Sequence, residues 1–276
     1  MIPNPEKHID VHYLTDPGSK GRVNEDKFKI SSFEMSAKDP APVLLAVIAD
    51  GVGGHQAGEI AAEIAIETIE RIIAESESEE PVWLLKSALL EANHAITNRS
   101  ENEDDKKGMG STIACGLILD YSLYIASMGD SRIYLIRDGI ITQLTRDHTW
   151  VQEALDTGVI KDEEARNHPR RHLIRSFLGS SEPINPDLRL FLSKKESDEQ
   201  AKANQGLPLI PQDKVLLCTD GLTDLVTDEE ILNVFQKTAD IDNALQQLVD
   251  LANQRGGHDN ITTVLLKIRG EELFLT

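Results

Sequence analysis

Aspartates placed at the ends of apolar segments are the residues of this sequence best suited to chemistry. Five aspartates share this placement, three of them beside a glycine: Asp26, Asp50, Asp130, Asp220 and Asp259. A single aspartate next to a strand is ordinarily a turn or capping residue, because its side chain accepts hydrogen bonds from nearby backbone N–H groups. Five carboxylates at strand ends can instead converge at one edge of a sheet, where they would repel one another unless cations lay between them.

The ligand chemistry of these aspartates is that of hard divalent cations. Oxygen ligands without a matching set of histidines or cysteines point to Mg²⁺ or Mn²⁺ rather than zinc. Around Asp50 the sequence reads VLLAVIADGVGGHQAGE. Gly51, Gly53 and Gly54 would let the backbone approach an ion closely, and a glycine carbonyl can itself be a ligand. The sequence therefore predicts a metal centre near Asp50.

The acidic balance of the chain limits its partners. The 276 residues include 47 aspartates and glutamates against 28 lysines and arginines, a formal net charge of −19 at pH 7. A surface of that charge repels phosphate backbones and anionic lipid, so we expect neither nucleic acid nor a membrane as a partner. An anionic substrate would need a local positive charge, such as a bound metal ion.

The sequence predicts a cytoplasmic protein. Its first residues, MIPNPEKHIDVHY, lack the basic segment and apolar segment of a secretory signal. No apolar run approaches the roughly 20 residues that span a bilayer. Cys115 and Cys218 lie inside apolar runs, without metal-site spacing or the pattern of a disulfide scaffold, so we expect two buried free thiols.

Apolar periodicity predicts the elements that must position these carboxylates. Strands are predicted at 43–49, 112–119, 123–128, 132–137, 215–218 and 261–268. Helices are predicted at 57–75, 82–97, 228–237 and 240–254, the last two with N-caps at Asp228 and Asp240. Several strands follow one another too closely for helical crossovers, so we expect antiparallel sheet covered by helices. We expect one domain over 1–276, with irregular segments at 75–81 and 193–212.

Seven short motifs occur in order along the chain: RVNED, ADGVGGHQAGE, GST, MGDSRIYLIRDG, LTRDHT, CTDGLTD and GGHDNIT. With this order and spacing, the chain from about Asp10 to Arg269 resembles bacterial metal-dependent protein serine/threonine phosphatases of the type-2C (PPM) family. The resemblance implies an α+β fold, a four-layer α/β/β/α sandwich of two antiparallel sheets flanked by helices. It also implies a two-metal site at one edge of the sandwich and a flap at 148–179 beside that site.

The resemblance further implies the ligands of the first metal. Asp50 would bridge both metals and is the predicted catalytic carboxylate. Gly51 would add its carbonyl oxygen to one metal, and Asp220 and Asp259 would complete the shell of the first.

The second metal would be held by Glu25 and Asp26, partly through water. Asp130 would hold a third, weaker metal together with Asp220. The ions implied by the resemblance are Mn²⁺ or Mg²⁺, two in the site with the possible addition of that third.

Two positions depart from the family pattern. Many members place a phosphate-gripping arginine three residues before the asparagine of RVNED, where this chain has Gly21. We predict Arg22 as the phosphate clamp and a catalytic residue, with Lys20 as the alternative. Val52 stands where eukaryotic members carry a histidine proposed as general acid, and bacterial members commonly have an apolar residue there.

Three histidines near the motifs are predicted to have supporting rather than catalytic roles. His55 is expected at the start of a helix, and His148 and His258 are expected to pack or to support the ligands. In the flap, four arginines either meet acidic or phosphorylated substrate or are simply solvated: Arg166, Arg170, Arg171 and Arg175.

These interpretations predict a protein serine/threonine phosphatase that hydrolyses phosphoserine and phosphothreonine monoesters with a water activated between two divalent metals. Expected partners are phosphorylated proteins, including a serine/threonine kinase and its substrates. One alternative is a catalytically silent PPM-fold regulatory or binding module, which would lack Mn²⁺-dependent activity. Another is a two-metal phosphodiesterase, which would cleave bis-p-nitrophenyl phosphate in preference to the monoester.

Overall fold

The computed structural model describes residues 1–3, 9–19, 23–35, 41–52, 56–76, 78 and 80–269. Within these ranges the strands are β1 Ile2–Pro3, β2 Ile9–Asp16, β3 Lys27–Glu34, β4 Pro42–Ala49, β5 Gly51–Val52, β6 Gly110–Ser111, β7 Ile113–Leu119, β8 Ser122–Met128, β9 Arg132–Arg137, β10 Ile140–Gln143, β11 Leu207–Pro208, β12 Lys214–Cys218 and β13 Ile261–Ile268. The helices are α1 Gln56–Glu75, α2 Pro81–Asn102, α3 Trp150–Asp156, α4 Asp162–Ala165, α5 Asp198–Ala203, α6 Asp220–Thr223, α7 Asp228–Lys237 and α8 Ile241–Gln254. A 3₁₀ turn covers Asp104–Lys106.

The strands form two large antiparallel sheets. Sheet I has six strands in the order β1-β3-β4-β7-β8-β11, and sheet II has five in the order β10-β9-β12-β13-β2. The short strands β5 and β6 pair separately. This arrangement confirms the predicted α+β class with two antiparallel sheets flanked by helices.

Three apolar cores between successive layers explain why these sheets stack. Along β4, Leu45 and Val47 pack with α1 and α2, whereas Leu44 and Ala46 pack towards sheet II. A third core joins the other face of sheet II to α7 and α8. Because β4 is buried on both faces, its sequence is a continuous apolar run rather than an alternating one.

Helix boundaries follow the local capping chemistry. Pro81 occupies the first turn of α2, where its missing N–H costs no hydrogen bond. Asp240 caps α8 by accepting from the Asn243 N–H at 2.8 Å, as predicted. The predicted cap Asp228 is wrong, because Thr227 caps α7 in a capping box with Glu230.

Other boundaries also differ from the sequence predictions. The segment 193–212, predicted as irregular, contains α5, whose N-cap Ser197 forms a capping box with Gln200. The same segment contains β11, which pairs with β8 at the edge of sheet I. None of the described helices is both long enough and apolar enough to cross a bilayer.

Antiparallel pairing in sheet I places two of the aspartates together. Lys27 at the start of β3 pairs with Ala49 at the end of β4. Asp26 and Asp50, the next residues outward, therefore lie side by side at one end of the sheet.

Pairing in sheet II brings the other strand ends to the same edge. Cys218, the last residue of β12, pairs with Arg132 on one side and Thr263 on the other. Asp220 follows β12 at the start of α6, and Asp130 lies in the turn before β9. The sandwich therefore gathers at one edge carboxylates that lie far apart in the chain.

Candidate metal centre

Two neighbouring hydroxyl side chains fix the backbone at Asp50. The Asp50 carbonyl oxygen accepts from the Thr112 N–H at 2.9 Å and from the Ser111 hydroxyl at 3.1 Å. The Asp50 N–H donates to Thr112 Oγ1 at 3.1 Å. Thr112 Oγ1 also shares a 2.8 Å hydrogen bond with Ser131 Oγ, the residue after Asp130. The GST and GDSR motifs thus hold both aspartates through one buried network.

Asp26 is held by a separate network from sheet II. Thr219 donates its hydroxyl hydrogen to Asp26 Oδ2 at 2.9 Å and accepts the Thr262 N–H at 2.9 Å. Thr219 is fully buried, as is Thr262. This hydroxyl therefore orients one oxygen of Asp26. The other, Oδ1, has no hydrogen-bond partner among the described residues.

We predict that Thr219→Val weakens metal binding at Asp26, because valine keeps the shape of threonine but removes the hydroxyl. The Mn²⁺ concentration for half-maximal activity should rise about tenfold, the equivalent of roughly 1.4 kcal/mol. Thr219→Ser, which keeps the hydroxyl, is the matched control and should remain close to wild type. Equal Mn²⁺ dependence in the two variants would contradict this role for Thr219.

Glu25 and the Gly51 carbonyl approach each other across a gap that only glycine leaves open. A Cβ built on Gly58 would lie 2.7 Å from Glu25 Oε2 and 2.8 Å from the Gly51 carbonyl oxygen. Asn260 holds the backbone of Glu25 in place, since its Oδ1 accepts the Glu25 N–H at 2.8 Å. Two of the predicted oxygen ligands thus face the same small space beside α1.

The carboxylates at this edge act on one another electrostatically. Burial, followed by the charges of Asp26, Asp220, Asp130 and Asp259, raises the pKa of Asp50 well above its ordinary value. Burial and the neighbouring carboxylates, Asp130 foremost among them, likewise raise the pKa of Asp220. The five predicted aspartates are therefore neighbours in space.

The same causes raise the pKa of two more of these aspartates, Asp26 and Asp130. Burial is the main cause that raises the pKa of Asp26 to about 7, and Asp259 adds to it. Burial, with the nearby Asp147 carboxylate, raises the pKa of Asp130 to about 7. In each case a negative charge is costly where the fold places it, so a cation bound nearby would relieve the cost.

Unsatisfied oxygen atoms show that the donor set suits a cation. Asp26 Oδ1, Asp130 Oδ1 and Asp220 Oδ1 are buried and have no hydrogen-bond partner among the described residues. Native proteins rarely leave buried polar atoms unpaired without an ion, water or function to account for them. The donors are oxygen atoms, the ligands that Mg²⁺ and Mn²⁺ prefer. The residues therefore fit a centre for divalent ions.

Two further side chains at the site were not singled out from the sequence. Ligand atoms of His172, Asp220 and Asp224 lie within 4.8 Å of one another. His172 Nδ1 is 2.9 Å from Asp224 Oδ2, and His258 Nε2 is 3.6 Å from the same oxygen. Asp224 could have been noticed, because it stands four residues after Asp220 and shares its side of a helical turn. His172 had no comparable signal.

Some predicted site residues lie outside the described residues. These are Lys20, Gly21, Arg22, Gly53, Gly54 and His55. The phosphate clamp at Arg22 therefore stays a prediction. The prediction for the cysteines is confirmed, since Cys115 and Cys218 are free and buried, and burial raises the pKa of both thiols.

Comparison with known proteins agrees with this geometry. A family profile described as Protein phosphatase 2C matches residues 18–265. The chain is 33% identical over 267 residues to the serine/threonine phosphatase stp of Listeria monocytogenes serotype 4b, covering 94% of this chain and 96% of that protein.

Solved structures give the same result. The serine/threonine phosphatase of S. agalactiae superposes with a TM-score of 0.80 at 32% identity, covering 95% of this chain and 100% of that one. The catalytic domain of the serine threonine protein phosphatase PstP, solved in complex with two manganese ions, gives a TM-score of 0.76 at 31% identity, covering 95% and 99%.

The chain belongs to the protein phosphatase 2C family. Its predicted family, fold class and enzyme class, a metal-dependent serine/threonine protein phosphatase, are confirmed at this level. The predicted cofactors have a counterpart in the manganese-bound relative.

Proposed function

We propose that this chain removes phosphate from phosphoserine and phosphothreonine side chains of proteins, using divalent cations held at the edge of the sandwich. Asp50 would serve both ions, and the Gly51 carbonyl would serve one of them. Asp220 and Asp259 would complete the shell of the first ion. Glu25 and Asp26 would serve the other ion. Asp130 would share a third, weaker ion with Asp220.

The observation that carries this proposal is the group of buried and half-buried aspartates that repel one another, three of which have a buried oxygen atom without a hydrogen-bond partner among the described residues. A fold does not gain stability by burying several carboxylates without partners, because each loses its hydration. Such an arrangement is expected where ions are bound for function. Family membership favours phosphoryl chemistry over other uses of the same ligands.

The residues of this chain would act by positioning and charge. A pair of divalent ions, when bound, makes a water nucleophilic at neutral pH and offsets the charge of a phosphoryl group. The contacts of Ser111 and Thr112 fix the Asp50 backbone, from which the carboxylate extends, before substrate arrives. Rigid placement of this kind lowers the barrier, because the groups need not reorganise during the reaction.

Positive charge for the substrate phosphate is scarce among the described residues of the site. Lys27 is paired with Glu59 at 2.8 Å, and Arg132 forms a forked pair with Asp147. The proposed clamp Arg22 would add a guanidinium able to bind two phosphate oxygens. Neither cysteine is a candidate nucleophile, since burial keeps both thiols protonated.

The proposed substrates are phosphoproteins, including a serine/threonine kinase and its targets. The proposed flap at 148–179 contains α3 and α4. The bridge Thr149–Ile174 joins its two ends to each other, and the bridge Ser111–Leu178 joins it to β6. Within it, Arg166 and Arg170 are exposed. These arginines would meet acidic or phosphorylated segments of a substrate protein.

A phosphate-release assay tests the proposed function. With Mn²⁺ or Mg²⁺, phosphoserine and phosphothreonine peptides should be hydrolysed faster than phosphotyrosine peptides, as the names of the serine/threonine phosphatases that this chain resembles indicate. EDTA should abolish release, and added Mn²⁺ should restore it. Activity that survives chelation would contradict the proposal. Faster cleavage of bis-p-nitrophenyl phosphate than of p-nitrophenyl phosphate would favour a phosphodiesterase. The absence of any activity would favour a catalytically silent binding module.

A further inference from the structure

His148, in the LTRDHT motif, is bound at three points to the turn that carries Asp130 and to the proposed flap. Its Nδ1 accepts the Gly129 N–H at 3.0 Å, and its backbone N–H donates to the Gly129 carbonyl at 2.8 Å. Its carbonyl oxygen accepts the Arg175 N–H at 2.7 Å. One residue therefore holds both polar backbone groups of Gly129 and the returning end of the flap.

The hydrogen bond to Gly129 determines which nitrogen of the ring carries the proton. Because Nδ1 accepts a backbone N–H, it must be the unprotonated nitrogen, and Nε2 carries the hydrogen. His148 Nε2 lies 3.2 Å from Asp187 Oδ2 and donates to it. Asp187 thus selects the tautomer that can accept from Gly129.

Asp187 is itself held rigidly. Its carboxylate accepts from Arg189 Nε at 2.8 Å and Nη2 at 2.6 Å, and its backbone pairs with Ser127 in both directions. Although burial acts to raise the pKa of Asp187, hydrogen bonds from His148 and Arg189 hold that pKa well below its usual range. The acceptor for His148 therefore stays charged and fixed in place.

The turn at Gly129 needs such support. Gly129 has a φ of +101°, and a Cβ there would lie 2.6 Å from the Thr112 side chain. The turn is thus pressed against the same threonine that binds the Asp50 backbone. Asp130 follows at once, so any rotation of the Gly129 peptide would swing the Asp130 carboxylate.

We propose that His148 is a positioning residue for Asp130: its Nδ1 holds the Gly129 peptide, and Asp187 fixes the ring in the tautomer that can do so. This inference rests on the proposed role of Asp130 as a metal ligand. The role of Asp130 as a ligand does not by itself require a side chain that binds the Gly129 peptide, so His148 adds a separate function. Since the same histidine binds Arg175, the position of the flap base and that of the Asp130 turn are set together.

Two substitutions of His148 separate this role from ordinary packing. In His148→Asn the amide oxygen can occupy the place of Nδ1 and accept from Gly129, but it cannot reach Asp187. In His148→Gln the amide can reach Asp187 but places no acceptor at the Nδ1 position. Both variants lose the imidazole ring, so loss of packing should lower the melting temperature of both to a similar extent.

We expect Mn²⁺ binding to divide the two variants. Removing the hydrogen bond to Gly129 should weaken the weakest Mn²⁺ site of His148→Gln about tenfold, and the asparagine variant should stay within roughly threefold of wild type. Binding is measured by calorimetry on metal-free protein, which requires no turnover. Exchange of the Gly129 amide hydrogen, followed by NMR on protein labelled with ¹⁵N-glycine, should be fast in His148→Gln and slow in His148→Asn.

Equal Mn²⁺ affinities in the two variants, or equal Gly129 exchange, would overturn the proposal. If His148→Gln does not fold, Asp187→Leu provides the second variant. Without an acceptor at Asp187, the ring can also carry its hydrogen on Nδ1, so Mn²⁺ affinity should fall. The fall should be smaller than in His148→Gln, because the Gly129 N–H still favours the unprotonated Nδ1. Unchanged affinity in Asp187→Leu would count against the tautomer role. A wild type that binds Mn²⁺ without releasing phosphate would refute the proposed function. The Mn²⁺ affinities of His148→Asn and His148→Gln would still decide whether His148 positions Asp130.

Discussion

Asp50→Asn should lower kcat on p-nitrophenyl phosphate by about 10³-fold, which corresponds to roughly 4 kcal/mol of lost transition-state stabilisation. Asparagine has nearly the shape of aspartate, and the backbone contacts of Asp50 to Ser111 and Thr112 do not involve its side chain. The change therefore removes a negative charge at the centre of the site and leaves the local fold in place. Steady-state kinetics at saturating Mn²⁺ provide the measurement.

The stability of Asp50→Asn should not fall with its activity. In metal-free protein the half-buried Asp50 lies among other carboxylates that repel it, so neutralising it should leave the melting temperature unchanged or higher. Asp138→Asn is the matched control, because Asp138 lies in an exposed turn at a φ of +51° that asparagine also tolerates. It should change neither activity nor stability. A lower melting temperature with retained activity in Asp50→Asn would mean that Asp50 is structural.

Gly51→Ala is expected to have the second largest effect. A Cβ on Gly51 would lie 2.3 Å from the backbone carbon and oxygen of Gly58, so β5 or the first turn of α1 must move. The Gly51 carbonyl and the space shared with Glu25 would move with it. We expect the variant to lose roughly 1–3 kcal/mol of stability. Because a shift of about 1 Å in a positioned group can cost 10²-fold in rate, kcat should fall by about that factor.

Gly116→Ala provides the comparison. Gly116 also lies in a strand, but the nearest neighbours of a Cβ there would be at 3.8 Å and 3.9 Å, which is ordinary contact. The alanine should fit with little change in activity. Urea unfolding measures the stability of both variants, and Mn²⁺ titration of activity measures their metal dependence. Wild-type activity in Gly51→Ala would show that the close approach of β5 to α1 is not required.

Much of the fold was predictable because buried strands leave long runs of apolar residues in the sequence. The continuous apolar run of β4 and the dense runs of β7, β12 and β13 are buried on both faces. By contrast β2 and β3, which were not predicted as strands, are mostly half-buried, with polar residues such as His12 and Ser31. α2 extends to Asn102, past its predicted end. The apolar pattern missed this last turn because its residues are polar and, apart from the buried Ser100, exposed.

The candidate site was predictable only in part. Aspartates at strand ends are visible in one dimension, since strand, turn and glycine are all local signals. The contacts that orient them are not local. Thr219 binds Asp26 across 193 residues, and Asn260 binds the Glu25 backbone across 235. These contacts depend on how the two sheets stack, which no short stretch of sequence specifies.

The same limit applies to His148 and His172. His148 was expected only to pack or to support the ligands, and His172 was not singled out, because the partners of both lie elsewhere in the chain. Asp187, which binds His148, is 39 residues further along the chain. Asp224, beside His172, comes from the helical turn after β12. These contacts join the segment 148–179 to residues outside it.

Calorimetric titration of metal-free protein with Mn²⁺ tests most directly whether the gathered carboxylates form a centre for divalent cations. The wild type should bind at least two ions, and Asp50→Asn should lose measurable binding of at least one, because the bridging carboxylate serves both. Asp138→Asn should bind like wild type. Absence of binding heat in the wild type, or the same stoichiometry and affinity in Asp50→Asn as in the wild type, would contradict the account.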